Sequence, residues 1–154
     1  MRANLQSIIA GAGLAVALSA SAFAAEVAPA DVKFTDDGVK ESLTGKVGDP
    51  ANGRKVFADR KLGNCLACHA VDDQKDQLFH GDVGPELNGV ADRYDVAQLR
   101  GLIANSKKTF EDTIMPGFYT LEVGKNVREK SVGKTILSAQ EVEDVVAYLA
   151  TLKE

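Results

Sequence analysis

The 154-residue sequence contains no tryptophan and only 2 cysteines, 2 histidines and 2 methionines. Soft and imidazole ligands come from these side chains alone, so any transition-metal or redox chemistry rests on a handful of positions. Positive charge is not in excess: 18 Lys and Arg face 22 Asp and Glu, for a net charge of −4 and a pI near 5.2. That balance argues against a nucleic-acid binder working through a basic surface. Aromatic residues make up 6% of the chain, there are four prolines, and no repeat or low-complexity tract follows the first two dozen residues. The one sustained apolar run, Ile8 to Leu18, is about half of the roughly 20 residues that a bilayer-spanning helix needs. What is present, 45% hydrophobic and 26% charged residues, fits one folded soluble domain and excludes disorder, collagen and a multi-span membrane protein.

Arg2, the apolar run and Ala22-Phe23-Ala24 together form the pattern of a signal peptide cleaved after about Ala24. A retained anchor is the competing reading. Export points to an oxidising compartment, most simply the periplasm. Loss of Arg2 takes the net charge from −4 to −5, and loss of Met1 leaves Met115 as the only methionine.

Three segments follow: a signal peptide over 1–24, an N-terminal extension over 25–48 and a domain over 49–154. The extension is polar and lacks a sustained period, so it is either a disordered tail or an arm lying on the domain or a partner. Asp49-Pro50 reads as an N-cap followed by proline at the first helical position, opening a helix to about Arg60 or Lys61 with Gly53, Val56 and Phe57 on one face. Glycine inside a helix costs about 1 kcal/mol against alanine. Gly53 therefore marks close approach of another helix or is simply tolerated. Residues 70–86 read as loop. Residues 95–106 have helical spacing, with Val96, Leu99 and Ile103 on one stripe, and 107–137 is irregular. Ser138 and Glu141 form a capping box before a buried stripe of Val142, Val145, Val146 and Leu149. Tyr148, beside that stripe, is placed to meet Gly53 and Phe57. The fold class is all-α with long loops. So much irregular backbone over a thin core calls for a large apolar cofactor as added interior.

Cys65-Leu66-Ala67-Cys68-His69 is the Cys-x-x-Cys-His pattern of covalent haem c attachment. Two intervening residues let both thiols reach one porphyrin edge, and the adjacent histidine turns back under the ring to bind iron. A thioredoxin-type redox pair would need a βαβ context, which is lacking. A zinc site recruiting Cys65, Cys68, His69 and His80 would ask neighbouring residues 68 and 69 to share one tetrahedral ion. A plain disulfide between Cys65 and Cys68 would close too short a loop to stabilise much.

For the sixth iron position the candidates are Met115, in Thr113-Ile114-Met115-Pro116, and His80. Pro116 stiffens a segment that cannot continue as helix, which favours Met115; core filling is the plainer use of a methionine. A thioether raises the reduction potential, and a six-coordinate iron transfers electrons without binding substrate. The Pro85 carbonyl in Gly84-Pro85-Glu86-Leu87 is a candidate acceptor for the His69 Nδ1 proton, or the segment is an ordinary turn. Leu87, Leu99 and Ile103 are candidates for the haem wall or for the core.

The order of helix, Cys-x-x-Cys-His, Gly-Pro-x-Leu, helix, Met-Pro and helix resembles class I cytochromes c over about Asp49 to Leu152. Within that class the chain resembles the SoxX subunits of thiosulfate-oxidising SoxAX complexes. The matching stretches are Ser42-Leu43-Thr44-Gly45, Gly48-Asp49-Pro50-Ala51, Leu62-Gly63-Asn64 running into Cys65–His69, Gly81-Asp82-Val83-Gly84-Pro85, Met115-Pro116, and Leu137 to Leu149. The resemblance implies one haem c, with Cys65 and Cys68 as thioether anchors and His69 and Met115 as iron ligands. It implies a heterodimer with the SoxA haem subunit, which carries the catalytic haem. The complex acts as an L-cysteine S-thiosulfotransferase, joining thiosulfate to a carrier cysteine on SoxYZ with release of two electrons. The chain itself would have no catalytic residue and would pass electrons to a soluble cytochrome c. A free monohaem shuttle is the alternative, and a haem sensor with an open iron a third possibility. Neither a nucleic-acid partner nor a membrane anchor is expected.

Overall fold

A computed structural model describes residues 25–122 and 124–154; the expected signal peptide lies outside the described residues. Among these, four α-helices occur: α1 (Pro50–Ala58), α2 (Val90–Arg93), α3 (Val96–Asn105) and α4 (Ala139–Leu149), with short 3-10 turns between them. The β-structure among the described residues is one isolated bridge, Thr35 to Gly38.

Capping chemistry sets the helix starts. The Asp49 carboxylate accepts the Ala51 N–H at 2.9 Å, with Pro50 at the first helical position. Asp59 then turns extended and ends α1 at Ala58, short of the predicted Arg60 or Lys61. In α4, Ser138 Oγ accepts the Glu141 N–H at 3.3 Å while Glu141 Oε2 accepts the Ser138 N–H at 2.7 Å. Val142, Val145, Val146 and Leu149 are all buried, each side chain contributing about 1.5–3 kcal/mol. An unforeseen capping box of Asp95 and Gln98 starts α3. Its Leu99 and Ile103 are buried, whereas Val96, the first helical residue, stays half exposed.

Helix α4 is the centre of the frame, packed on α1 and α3. Where α1 crosses it, a Cβ on Gly53 would stand 1.9 Å from the Asp144 carbonyl oxygen, so only glycine permits the approach. One turn on, the Phe57 and Tyr148 rings meet edge to face at 5.5 Å.

Residues 25–48 lie on this frame. Val27 N–H donates to the Leu43 carbonyl at 2.8 Å, and Val39 N–H to the Ala97 carbonyl at 2.9 Å. The Arg100 guanidinium grips the Glu143 carboxylate at 2.8 and 3.0 Å and donates to the Val39 carbonyl at 2.8 Å. Glu143 Oε1 also accepts the Leu43 N–H at 2.7 Å. Val39 and Leu43 are core residues. Arg100 and Glu143 are buried as a pair, and these bonds offset the desolvation of both charges.

Candidate cofactor site

The Asp59 carbonyl accepts the N–H groups of Leu62 and Asn64, at 3.1 and 2.9 Å, which folds the chain back at the end of α1. Asn64 then adopts a left-handed conformation (φ 49°), one that asparagine tolerates better than most residues. It leads directly into the turn Cys65–Ala67. The N–H groups of Cys68 and His69 both donate to the Cys65 carbonyl, at 3.0 and 2.9 Å. Both cysteines and His69 therefore stand on one tight turn. The following loop folds over it: Gly81 N–H donates to the Leu66 carbonyl at 2.8 Å, Gly84 N–H to Cys68 at 2.7 Å and Leu87 N–H to Ala70 at 2.9 Å.

His69 is fixed in orientation and tautomer. Its Nδ1 lies 2.7 Å from the Pro85 carbonyl oxygen. A carbonyl only accepts, so Nδ1 carries the proton, and the neutral ring in this tautomer has its lone pair on Nε2. Beneath the ring, a Cβ on Gly84 would lie 2.3 Å from Cε1 and 2.7 Å from Nδ1. Any side chain there displaces the imidazole.

Cys65 and Cys68 are free thiols, the first half-buried and the second exposed. Burial pushes the Cys65 thiol up to about 12, keeping it protonated at neutral pH. No disulfide joins the pair.

His80 is used elsewhere. Its Nδ1 accepts the Val71 N–H at 3.3 Å, and its Nε2 donates to the Gln74 carbonyl at 3.0 Å, so both ring nitrogens serve the backbone. Among the described residues no group of three or more His, Cys, Asp or Glu is assembled to hold an ion. Gln74, fully buried, donates to the Arg54 carbonyl at 3.2 Å and to the Tyr148 hydroxyl at 3.1 Å. Tyr148 in turn donates to Asp73 at 2.9 Å. Sequence reading missed this network, which ties the loop over 72–80 to α1 and α4; a glutamine in a polar loop gives no pattern that marks it as interior.

Met115 sits on a segment hung from the end of α3. The Ile103 and Ala104 carbonyls, left without partners in the helix, accept the N–H groups of Phe118 and Tyr119 at 3.1 and 2.9 Å. Ser106 Oγ donates to the Met115 carbonyl at 2.8 Å, and the Met115 N–H donates to Thr113 Oγ1 at 3.2 Å. Met115, Cys65 and Leu87 all pack, half-buried, against the same core cluster that contains Leu66, Leu99 and Ile103. Ser106 entered the sequence reading only as the last residue of the helical stretch 95–106; α3 ends at Asn105, which leaves the hydroxyl just past the helix end.

The residues present fit a covalent haem. Two thiols stand on one turn, the neighbouring imidazole has a free Nε2 and a fixed ring plane, and a glycine lies under that ring. Among the described residues no helix is long and apolar enough to cross a membrane.

Comparisons with known proteins follow the same line. The family model described as Cytochrome c matches residues 50–153. A chain of the SoxXA crystal structure from P. pantotrophus is 43% identical over 84% of this chain and 99% of that one, with a TM-score of 0.78. The c-type cytochrome SorU from Sinorhizobium meliloti is 24% identical, covering 68% of this chain and 90% of its own, with a TM-score of 0.45. Cytochrome c-550 from Paracoccus versutus is 22% identical, covering 70% and 99%, with a TM-score of 0.39. No curated protein matches the chain.

Proposed function

We propose, for a chain that belongs to the cytochrome c family and within it to the SoxX subunits, the role of electron relay in a periplasmic SoxAX complex. The helical frame is the class I cytochrome c fold, and the chain holds haem c covalently. When bound, the haem iron carries one electron at a time by cycling between ferric and ferrous states.

In this reading Cys65 and Cys68 are the thioether anchors, and His69 Nε2 and the Met115 thioether are the iron ligands of a single haem. The observation that carries it is the His69 imidazole, pinned through Nδ1 on the Pro85 carbonyl over a glycine floor. A hydrogen bond on the far nitrogen raises ligand basicity and holds the ring against rotation. Met115, which would supply the second ligand, is half-buried on a segment whose backbone is tied to α3. Two protein ligands leave no position for substrate, so the chain relays electrons and the bond-forming chemistry lies elsewhere.

Likeness to a SoxXA chain supports the rest of the assignment. The partner is a SoxA haem subunit, in a heterodimer acting as an L-cysteine S-thiosulfotransferase. That reaction forms a sulfur–sulfur bond between thiosulfate and a cysteine of SoxYZ and releases two electrons. These leave through this chain, one after the other, to a soluble cytochrome c. Both cysteines here are committed to the haem and the chain has no third, so the accepting thiol belongs to the carrier. Export through a signal peptide cleaved after about Ala24 places the complex in the periplasm.

Co-expression with the SoxA subunit provides the test. The two chains are expected to co-purify as a heterodimer, and deletion of this chain is expected to abolish thiosulfate-dependent cytochrome reduction. A chain that stays monomeric beside SoxA, with reduction unaffected by its deletion, would overturn the assignment.

A further inference from the structure

We infer that Ser106 is a positioning residue for Met115: its buried hydroxyl holds the methionine carbonyl and, with Thr113 on the amide side, fixes the backbone that carries the thioether. The inference rests on the reading of Met115 as an iron ligand.

Three observations lead to it. Ser106 is 1% exposed and directs its hydroxyl to the Met115 carbonyl at 2.8 Å. A buried hydroxyl aimed at a half-buried carbonyl matters because leaving that carbonyl without a donor costs more than the bond itself contributes. Met115 is followed by Pro116, which has no N–H. The segment therefore has one backbone donor fewer with which to anchor itself at this point, and a side chain takes up the task. On the other side, the Met115 N–H donates to Thr113 Oγ1 at 3.2 Å, and the Thr113 N–H donates to the Phe110 carbonyl at 3.1 Å. Lys107, next to Ser106, reaches the Thr113 carbonyl. Both backbone groups of Met115 are thus held by hydroxyl side chains, and Ser106 stands at the junction of α3 and the 3-10 turn Ser106–Lys108.

Such a clamp acts on ligand exchange. A thioether is a weak ligand for ferric iron, so its hold depends on how rarely the backbone lets it swing away. Loosening the clamp enlarges the fraction of time in which an external ligand can reach the metal.

The test uses the full-length haem-loaded protein in its ferric form, with cyanide as the probe. In Ser106→Ala the rate of cyanide binding is expected to rise about tenfold, the factor that loss of one buried hydrogen bond gives. The sulfur-to-iron charge-transfer band is expected to bleach at lower pH than in the parent. Thr113→Val, which removes the amide-side acceptor, is expected to shift both readouts in the same direction by less, and carries the test if Ser106→Ala yields no haem protein. Tyr119→Phe, which removes a bond from the same segment to residue 27, is expected to lower the unfolding midpoint without changing cyanide binding. Met115→Ala separates the two claims. If it leaves the charge-transfer band intact, the ligand reading fails. If it abolishes the band while Ser106→Ala and Thr113→Val bind cyanide at the parent rate, Met115 is a ligand and the clamp is refuted. A rise in Tyr119→Phe equal to that in Ser106→Ala would also refute it, since general loosening would then explain both.

Discussion

The loop over 65–87 and the N-terminal arm are secured by different means. Over 65–87 a set of backbone bonds ties the chain to itself: Cys68 and His69 to Cys65, Gly81 to Leu66, Gly84 to Cys68, Leu87 to Ala70, all between groups at most 17 residues apart, while Asp73 and Gln74 add side-chain ties to α1 and α4. The N-terminal arm is fastened largely by side chains across long stretches of chain. Glu143 reaches Leu43, 100 residues away; Arg100 reaches Val39, 61 away; Tyr119 reaches Val27, 92 away. The first arrangement closes short loops, which can form ahead of distant packing. The second makes the seat of the arm dependent on the completed fold. Loop-closure entropy points the same way, because short loops close cheaply and long-range contacts form late.

Gly84→Val strikes the first arrangement at its tightest point, since even a Cβ there would stand 2.3 Å from the His69 ring. The exported variant is expected to carry little haem, read as haem absorbance per polypeptide; full loading would show that the glycine floor is dispensable. Glu143→Ala strikes the second. It strands the Arg100 charge in the interior and is expected to cost about 3–5 kcal/mol of stability by urea unfolding, with haem attachment preserved. A loss below about 1 kcal/mol, typical of an exposed pair, would contradict the buried clamp.

A pH titration sharpens the contrast. The Tyr119 hydroxyl is pushed from 10.0 up to about 12, by burial and then by the neighbouring Glu26 carboxylate. The folded chain holds this proton more tightly than the unfolded chain. The stabilisation is therefore complete below pH 10 and is lost as pH climbs toward 12. Tyr119→Phe is expected to flatten part of that decline while Tyr148, shifted the same way, retains its share. An unaltered profile would remove Tyr119 from the account. The smallest effect is expected from His80→Ala, whose ring nitrogens serve Val71 and Gln74. Its visible spectrum should match the parent, and a large change would restore His80 as an iron ligand.

The same contrast explains what the sequence discloses. Short-range chemistry is legible: the Asp49 cap, the Ser138–Glu141 box, the apolar stripe of α4 and the His69–Pro85 bond all follow from spacing and residue type. Gly53 was legible too, because a glycine inside a helix needs a reason and close packing is the usual one. Long-range side-chain pairs are not legible. Arg100 and Glu143 carry no local pattern that marks them as interior, and nothing in a single chain links positions 43 residues apart. Ser106 and Gln74 are hidden for the same reason. The four-residue α2 is too short to show a period, and Val96 fits the stripe of α3 by spacing alone.

The central claim is one haem joined through sulfur to Cys65 and Cys68. The intact mass of the exported protein after acidified-acetone extraction tests it most directly. The account predicts the polypeptide plus a single haem, with the mass unchanged by extraction; the mass of the bare polypeptide, with the pigment in the solvent, would contradict it.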